Sequence, residues 1–426
     1  MDSENSESID QQSPWRVVIV GGGFAGLRCA LELAPHDNIH ITLLDKNNYQ
    51  QFHPLLYQVA ASILSPSNAA FALRDMLRNF DNVDVQMDEV TSIDLEQRSV
   101  HTAAGNSFTG DFLVLATGSR VNFFGIPGAD KFTLPLYSLT DAEKLRSAIL
   151  ESFEAADRNP NDTPAGLLNF VVVGGGPTGV EMAGTLGDML TRVLKKEFRH
   201  IDPARAQVFL IEMTPAVLGT FSPASQTYAA TALKEHGVQL RLGTAVKEVT
   251  PNEVLLSDGS RIPSKLVIWA AGIKTELVPT QPVAPRKPNG RLEVQPDLSI
   301  PGFDDVYVVG DLANATDSDG KPLPQLAAVA QQAGRQCARN ILASISGEPL
   351  TPFVYSDRGI LAMIGRNAAI AELGRQHHEL VGPVAFAAWL GIHLALLTVV
   401  RAKLEAIVEW SWQYFTGEHS GQLIDR

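Results

Sequence analysis

Two glycine triplets at matched spacing are the residues in this chain best placed to do chemistry. They are Gly21-x-Gly23-x-x-Gly26 in "VVIVGGGFAGLRCALEL" and Gly174-x-Gly176-x-x-Gly179 in "FVVVGGGPTGVEMAGTLGDM". In such a loop the first glycine permits a tight turn, the second lets a pyrophosphate approach the backbone, and the third lets the next helix pack closely on the strand. The helix N-terminus then turns unpaired N–H groups toward the phosphates. Each triplet has an acid downstream. "HITLLD" ends in Asp45, about 20 residues on, where a carboxylate accepts the hydrogen bond of a ribose 2′-hydroxyl. "AQVFLIE" ends in Glu212, farther along, which requires a longer intervening helix. Two loops of this kind mean two dinucleotides.

Loops of this design must be held by strands. Val17–Val20 and Phe170–Val173 are short apolar runs that enter the two loops. "GDFLVLATGS" (Gly110 to Ser119) and "SKLVIWAAGI" (Ser264 to Ile273) return the chain after each nucleotide unit, and "DDVYVVGDLAN" ends a further strand in Gly310-Asp311. At 426 residues there is room for two or three domains, and 45% hydrophobic residues with 34 glycines suit an α/β architecture. A net charge of −13 argues against nucleic acid and against docking to an acidic protein. Two cysteines, Cys29 and Cys337, form no CxxC, which leaves neither a local dithiol nor a cysteine metal cage and predicts no metal site. The polar opening lacks the apolar core of a signal peptide, and the default expectation is a disordered tail over 1–13 and a cytoplasmic location.

The two loops, the returning strands and the final Gly-Asp together resemble the flavoprotein disulfide reductase superfamily with two dinucleotide-binding domains. The resemblance implies an α/β fold of two Rossmann-like domains. The FAD domain would be split between 14–121 and 289–345, with the NADH-binding domain, 122–288, inserted, and 346–426 would form a C-terminal domain. It assigns FAD to Gly21, Gly23, Phe24, Ala25, Gly26, Asp45, Lys46, Thr117, Gly118 and Asp311, the last holding the ribityl chain. It assigns NADH to Gly174, Gly176, Pro177, Thr178, Gly179, Glu212 and Gly272. Glu212 repels a 2′-phosphate, and "MTPAV" after it supplies no arginine, so NADH is expected over NADPH.

The run Phe52-His53-Pro54-Leu55-Leu56-Tyr57-Gln58-Val59-Ala60, after an Asn-Asn-Tyr turn, narrows the resemblance to the type II, non-proton-pumping NADH:quinone oxidoreductases. Membership implies hydride transfer from nicotinamide to flavin N5, then two electrons to a quinone. It puts Glu181 of "PTGVEMAG" at the nicotinamide, although an exposed helix acid is the plain alternative. It puts Phe52, Pro54, Leu55 and Tyr57 beside the quinone, together with the helix after Gly-Asp. On that helix Gln332 matches the family's second glutamine, Ala328 replaces the first, and Gln331 falls at a variable position. His53 has two readings, a proton relay or a loop histidine bonded to backbone.

The C-terminal stretch from Val384 to Val400 is short for a spanning helix. From Arg401 onward, Leu404, Ile407, Val408, Trp412 and Phe415 fall at helical spacing, and Trp389, Trp410, Trp412 and Tyr414 are aromatics of the kind favoured at a membrane interface. The expectation is a peripheral protein on the cytoplasmic face of the cell membrane, held by amphipathic C-terminal helices, with room for a homodimer. Two rival readings stay open: a soluble NADH reductase for a small iron–sulfur protein, and a non-enzymatic NADH-sensing flavoprotein.

Overall fold

β-branched runs between glycine turns become the strands, and the stretches after each turn become helices. The computed structural model describes residues 13–192, 197–198, 200–202, 205–276, 278–374, 376–397, 400–417 and 421–425, so the expected disordered opening, apart from residue 13, lies outside them. In chain order the strands that bear on the site are β1 (Trp15–Val20), β2 (Ile39–Asp45), β3 (Val83–Met87), β4 (Phe112–Leu115), β5 (Leu134–Pro135), β6 (Asn169–Val173), β7 (Gln207–Glu212), β8 (Val238–Leu242), β9 (Leu266–Trp269), β10 (Ser299–Ile300), β11 (Phe303–Val308), β12 (Gly359–Gly365), β13 (Ala368–Leu373) and β14 (His378–Val381). The principal helices are α1 (Phe24–Leu33), α2 (Leu56–Ala60), α3 (Leu139–Arg158), α4 (Pro177–Arg192), α5 (Pro223–Glu235), α6 (Ala327–Ser346), α7 (Gly382–Leu396) and α8 (Val400–Thr416).

The chain divides into two compact units. The first takes residues up to 50, 72–119 and 275–355. Its sheet runs β10-β11-β4-β1-β2-β3, parallel except for the β10–β11 pair. The Val17–Val20 stretch of β1 reads as an unbroken apolar run because a core covers both faces. Ile19, Ile41 and Leu43 bury one face against α1 and α6, while Val18, Val20 and Leu44 bury the other. α1 and α6 approach closely at Gly334, where a Cβ would lie 2.1 Å from the Ala25 carbonyl oxygen. In the same core Cys29 and Cys337 are both fully buried, and their thiols meet.

The second unit takes residues 51–71, 120–274 and 356 onward. Its sheet, β5-β9-β6-β7-β8, is wholly parallel, and its core gathers Val171, Val173, Phe209, Ile211 and Trp269. Both sheets share the strand order 3-2-1-4 of a dinucleotide-binding unit, so the expected pair of Rossmann-like sheets is present. α4 runs 16 residues where α1 runs 10, the extension that the long spacing to Glu212 demands. A Ser138/Asp141 capping box starts α3, which packs with α4 around α2. An antiparallel trio, β12-β13-β14, lies against α4, and there a Cβ on Gly184 would lie 1.5 Å from the Ile364 carbonyl oxygen.

α7 and α8 close the chain. Fifteen residues of α7 span about 22 Å, and among the described residues no helix is long and apolar enough to cross a membrane. The tryptophans correct the expectation of an interfacial belt. Trp389 and Trp410 are buried, packed edge to face on each other, whereas Trp412 is 56% exposed.

Candidate functional site

Each glycine loop is locked by its own acid. In the first unit Gly21 takes φ +108, and a Cβ on Gly26 would lie 1.9 Å from the Gly21 carbonyl oxygen. Asp45, at the end of β2, accepts from Gly22 N (2.7 Å) and from Asn47 N (2.7 Å). Burial pushes its carboxyl above the usual range, with the Asn47 and Gly22 N–H groups pulling it back. Across the sheet Ser119 Oγ donates to Asp311 Oδ2 (2.6 Å). The Asp311 carboxyl is raised by burial and lowered by Ser119 and the Arg291 guanidinium. Thr117 Oγ1 donates to the Glu276 carbonyl (2.5 Å), whose N–H returns to Gly118 O. Phe24 and Ala25 open α1, and Lys46 is exposed beside Asp45. Ala328, Gln331 and Gln332 are half-buried in the first turns of α6.

The second unit repeats the device. Gly174 takes φ +110, and a Cβ on Gly179 would lie 1.8 Å from Gly174 O. Glu212, at the end of β7, accepts from Gly175 N (2.6 Å), Thr214 N (2.7 Å) and Thr214 Oγ1 (2.8 Å). Gly176, Pro177 and Thr178 are exposed at the head of α4. Gly272 has its carbonyl bonded by Asn122 N (3.2 Å), and the Phe124 ring lies against it.

Beneath this loop lies a buried polar cluster. Glu181, one turn into α4, is only 7% exposed, so it is not an ordinary surface acid. Its Oε1 accepts from Met363 N on β12 (3.2 Å). Burial pushes its carboxyl up to about 8, against the pull of that N–H and of the Trp389 indole, whose N–H makes no hydrogen bond of normal geometry. Tyr57 Oη donates to Met363 Sδ (3.2 Å) and accepts from Gln58 Nε2 (2.9 Å), and Gln58 Oε1 accepts from Trp410 Nε1 (2.7 Å). Burial, reinforced by Glu181, holds the Tyr57 phenol well above its ordinary value. His393 stacks on Trp389 at 3.9 Å and meets Phe52 edge-on, and burial brings it down to about 4.

Of the run from Phe52 to Tyr57, the side chains of Phe52, Leu55 and Tyr57 are buried and Pro54 is half-buried. His53 Nε2 accepts from Gln51 Nε2 (2.9 Å). Burial lowers its imidazole to about 4, so the ring is neutral near pH 7, and with Nε2 accepting, its single proton sits on Nδ1. Next to this cluster, within the second unit, is a cavity of about 510 Å³ walled by Gln58, Met363, Phe386, Leu390, Leu394 and Trp410, among others. The run reaches this cavity through Gln58 rather than through Phe52, Pro54, Leu55 or Tyr57.

The chain matches the pyridine nucleotide-disulphide oxidoreductase family over residues 15–334. It is 37% identical over 423 residues to the type II NADH:quinone oxidoreductase Ndh of Mycobacterium tuberculosis, covering 96% of this chain and 89% of that protein. The chain belongs to the type II NADH:quinone oxidoreductases. Another relative, the type II NADH:quinone oxidoreductase of Staphylococcus saprophyticus, is 29% identical and covers 83% of this chain and 89% of its own length. In fold, the chain is similar to NDH2 from Plasmodium falciparum, solved with NADH (TM-score 0.87, 19% identity, 97% of this chain and 100% of that one). It is also similar to the sulfide:quinone oxidoreductase of Aquifex aeolicus (TM-score 0.72, 20% identity, 95% and 96%).

A type II NADH:quinone oxidoreductase uses FAD and NADH, and the two cradles fit them. At Gly23 and at Gly176 a Cβ would meet nothing within 4 Å, so the heads of α1 and α4 are open to a pyrophosphate. Asp45 and Glu212 each retain acceptor capacity beyond the N–H groups they hold. Sequence reasoning missed Ser119 and Arg291 around Asp311, and Gln58, Met363, Trp389, His393 and Trp410 around Glu181. Ser119 follows the glycine of the returning strand and was within reach. The others come from distant segments, and no spacing announces them.

Proposed function

We propose that this chain oxidises NADH and reduces a membrane quinone, with FAD seated in the first unit and NADH on the second. The observation that carries this reading is the duplication: two glycine loops, each locked by a carboxylate and open at its helix head. When bound, FAD would supply two-electron chemistry between the two substrates, relaying the hydride equivalent of NADH to the quinone, which with one further proton from solvent would leave as the quinol. Glu212 takes the adenosine ribose hydroxyls and repels a 2′-phosphate, the α4 N-terminus takes the pyrophosphate, and Asp45 and Asp311 hold the ribose and ribityl of FAD. Glu181 keeps a proton on its carboxyl at neutral pH in a dry setting beside Tyr57. The cavity walled by α7 and α8 admits the quinone. The FAD half would take 14–121 and 289–345 and the NADH half 122–288, although 51–71 packs into the second compact unit and 275–288 into the first.

The exposed apolar stripe Val400, Leu404, Ile407, Val408, Trp412 and Phe415 on α8 docks on the cytoplasmic face of the membrane by apolar insertion, since the segment from Ala385 carries more acids than bases. A second copy of the chain is the competing occupant of that stripe, and sedimentation with and without vesicles separates the two.

Anaerobic stopped-flow mixing tests the activity. NADH bleaches the flavin, and a short-chain ubiquinone or menaquinone analogue restores it within milliseconds to seconds. Restoration over many minutes would replace the reading with a sensor, and fast restoration only by an iron–sulfur protein would replace it with a ferredoxin-type reductase. Equal catalytic efficiency with NADPH would overturn the role of Glu212.

A further inference from the structure

Gln58 is a buried amide, 2% exposed, at the wall of the cavity. An indole N–H only donates, so the Trp410 bond of 2.7 Å fixes the amide oxygen on the α8 side and turns the NH2 toward Tyr57. One of its two hydrogens goes to Tyr57 Oη. The other has no partner among the described residues. Tyr57, having accepted that hydrogen, directs its own proton to Met363 Sδ, a weak acceptor that any carbonyl oxygen would outcompete. A buried donor left unmatched is destabilising, and the walls here are largely apolar side chains: Phe386, Leu390, Leu394, Ile407 and Phe415. The complement of such a place is a flat apolar ring that carries an acceptor and no donor at its edge. An oxidised quinone is that molecule.

We propose that Gln58 donates a hydrogen bond to a carbonyl oxygen of the oxidised quinone, and that Trp410 is the positioning residue that fixes the direction of the amide. This rests on the reading of the cavity as the quinone's place. It also ties the last helix of the chain to substrate recognition through a single hydrogen bond. The amide does not exchange a proton; its work is to orient the headgroup.

Steady-state kinetics with a short-chain quinone test this, with flavin reduction by NADH followed separately. Gln58→Met keeps length and volume and removes the donor; the quinone KM should rise about 3- to 10-fold, while the NADH KM and the rate of flavin bleaching stay unchanged. Trp410→Phe keeps the ring and removes the N–H; the quinone KM should rise about 2- to 5-fold, because the amide is free to turn over. The double variant should be no worse than Gln58→Met alone, the non-additivity expected when one residue acts through the other. Leu390→Trp, which fills the cavity without touching the amide, serves as the control. If Leu390→Trp raises the quinone KM and Gln58→Met does not, the proposal falls and the cavity reading stands. If Leu390→Trp leaves the quinone KM unchanged, the cavity reading falls and takes the proposal with it. Should Gln58→Met fail to fold, as judged by flavin content, an unchanged quinone KM in Trp410→Phe overturns the proposal by itself.

Discussion

Glu181 and Glu212 are both glutamates attached to the second glycine loop, and their surroundings differ. Glu212 is bonded by two backbone N–H groups and one hydroxyl, which fix the direction of its carboxyl group at the loop. Replacing it with alanine removes the ribose acceptor and loosens the turn at Gly175; the KM for NADH should rise about 10-fold or more, with the quinone KM unmoved in steady-state assays. Glu181 is dry, and burial raises its carboxyl to about 8 from 4.5. The folded state therefore holds a proton that the unfolded state releases between those pH values. Stability contributed by the neutral buried form is complete below about 4.5, declines as pH rises, and levels off above 8. Glu181→Gln should remove that slope, so that chemical denaturation finds the variant more stable than the parent by on the order of 2–4 kcal/mol at pH 8 and little different at pH 4.5. A parallel pH dependence in the two proteins would mean that Glu181 ionises freely. At this scale Asp45 and Glu212 were legible in the sequence because strand, turn and acid are consecutive. Gln58, Met363 and Trp410 were not, because their meeting is decided by packing between segments some 300 residues apart.

α8 shows how a helix can mislead when only its periodicity is read. Leu404, Ile407, Val408, Trp412 and Phe415 fall on one face, as the spacing predicts, and a helix of a globular protein would normally bury that face. Here the buried positions are Ala402, Ala406 and Trp410, while Phe415 is 83% exposed. Small alanines let the helix sit close, and Trp410 reaches in to Gln58. Removing α7 and α8 outright would therefore take away Trp389 and Trp410 together with the exposed stripe, so a truncation cannot isolate membrane docking. Leu404→Glu with Val408→Glu is the cleaner change. It should abolish co-sedimentation with vesicles while leaving turnover with a soluble quinone analogue intact, and should shift stability by less than about 0.5 kcal/mol per site. Retained vesicle binding would show that another surface holds the membrane. α4 carries the opposite constraint at Gly184, where there is no space for a methyl group against Ile364 O. Gly184→Ala should destabilise by about 1–3 kcal/mol, measurable as a lower midpoint in thermal unfolding, and nothing in the sequence pattern sets this glycine apart from its neighbours.

Across the molecule, legibility follows the range of the contacts. The two dinucleotide sheets were readable because each is specified by consecutive segments: Val17–Val20 into Gly21, Phe170–Val173 into Gly174, and the acid that follows. The last seventy residues were readable only as elements, a strand trio and two helices, since their partners α2 and α4 lie far back in the chain. The cysteines make the same point. Cys29 and Cys337 are separate in sequence and form no local dithiol motif; both are fully buried, and they touch. Burial and the neighbouring thiol hold Cys337 well above its ordinary pKa, which suppresses the thiolate that reacts with electrophiles. A maleimide should modify neither residue in the folded enzyme and both after denaturation, as read by intact mass. This sealed pair makes the native chain a ready background for spectroscopy. One cysteine introduced on the outer face of α8 would be the sole reactive handle, and a fluorophore or spin label placed there would report the arrival of the helix at a lipid surface without any native thiol having to be removed.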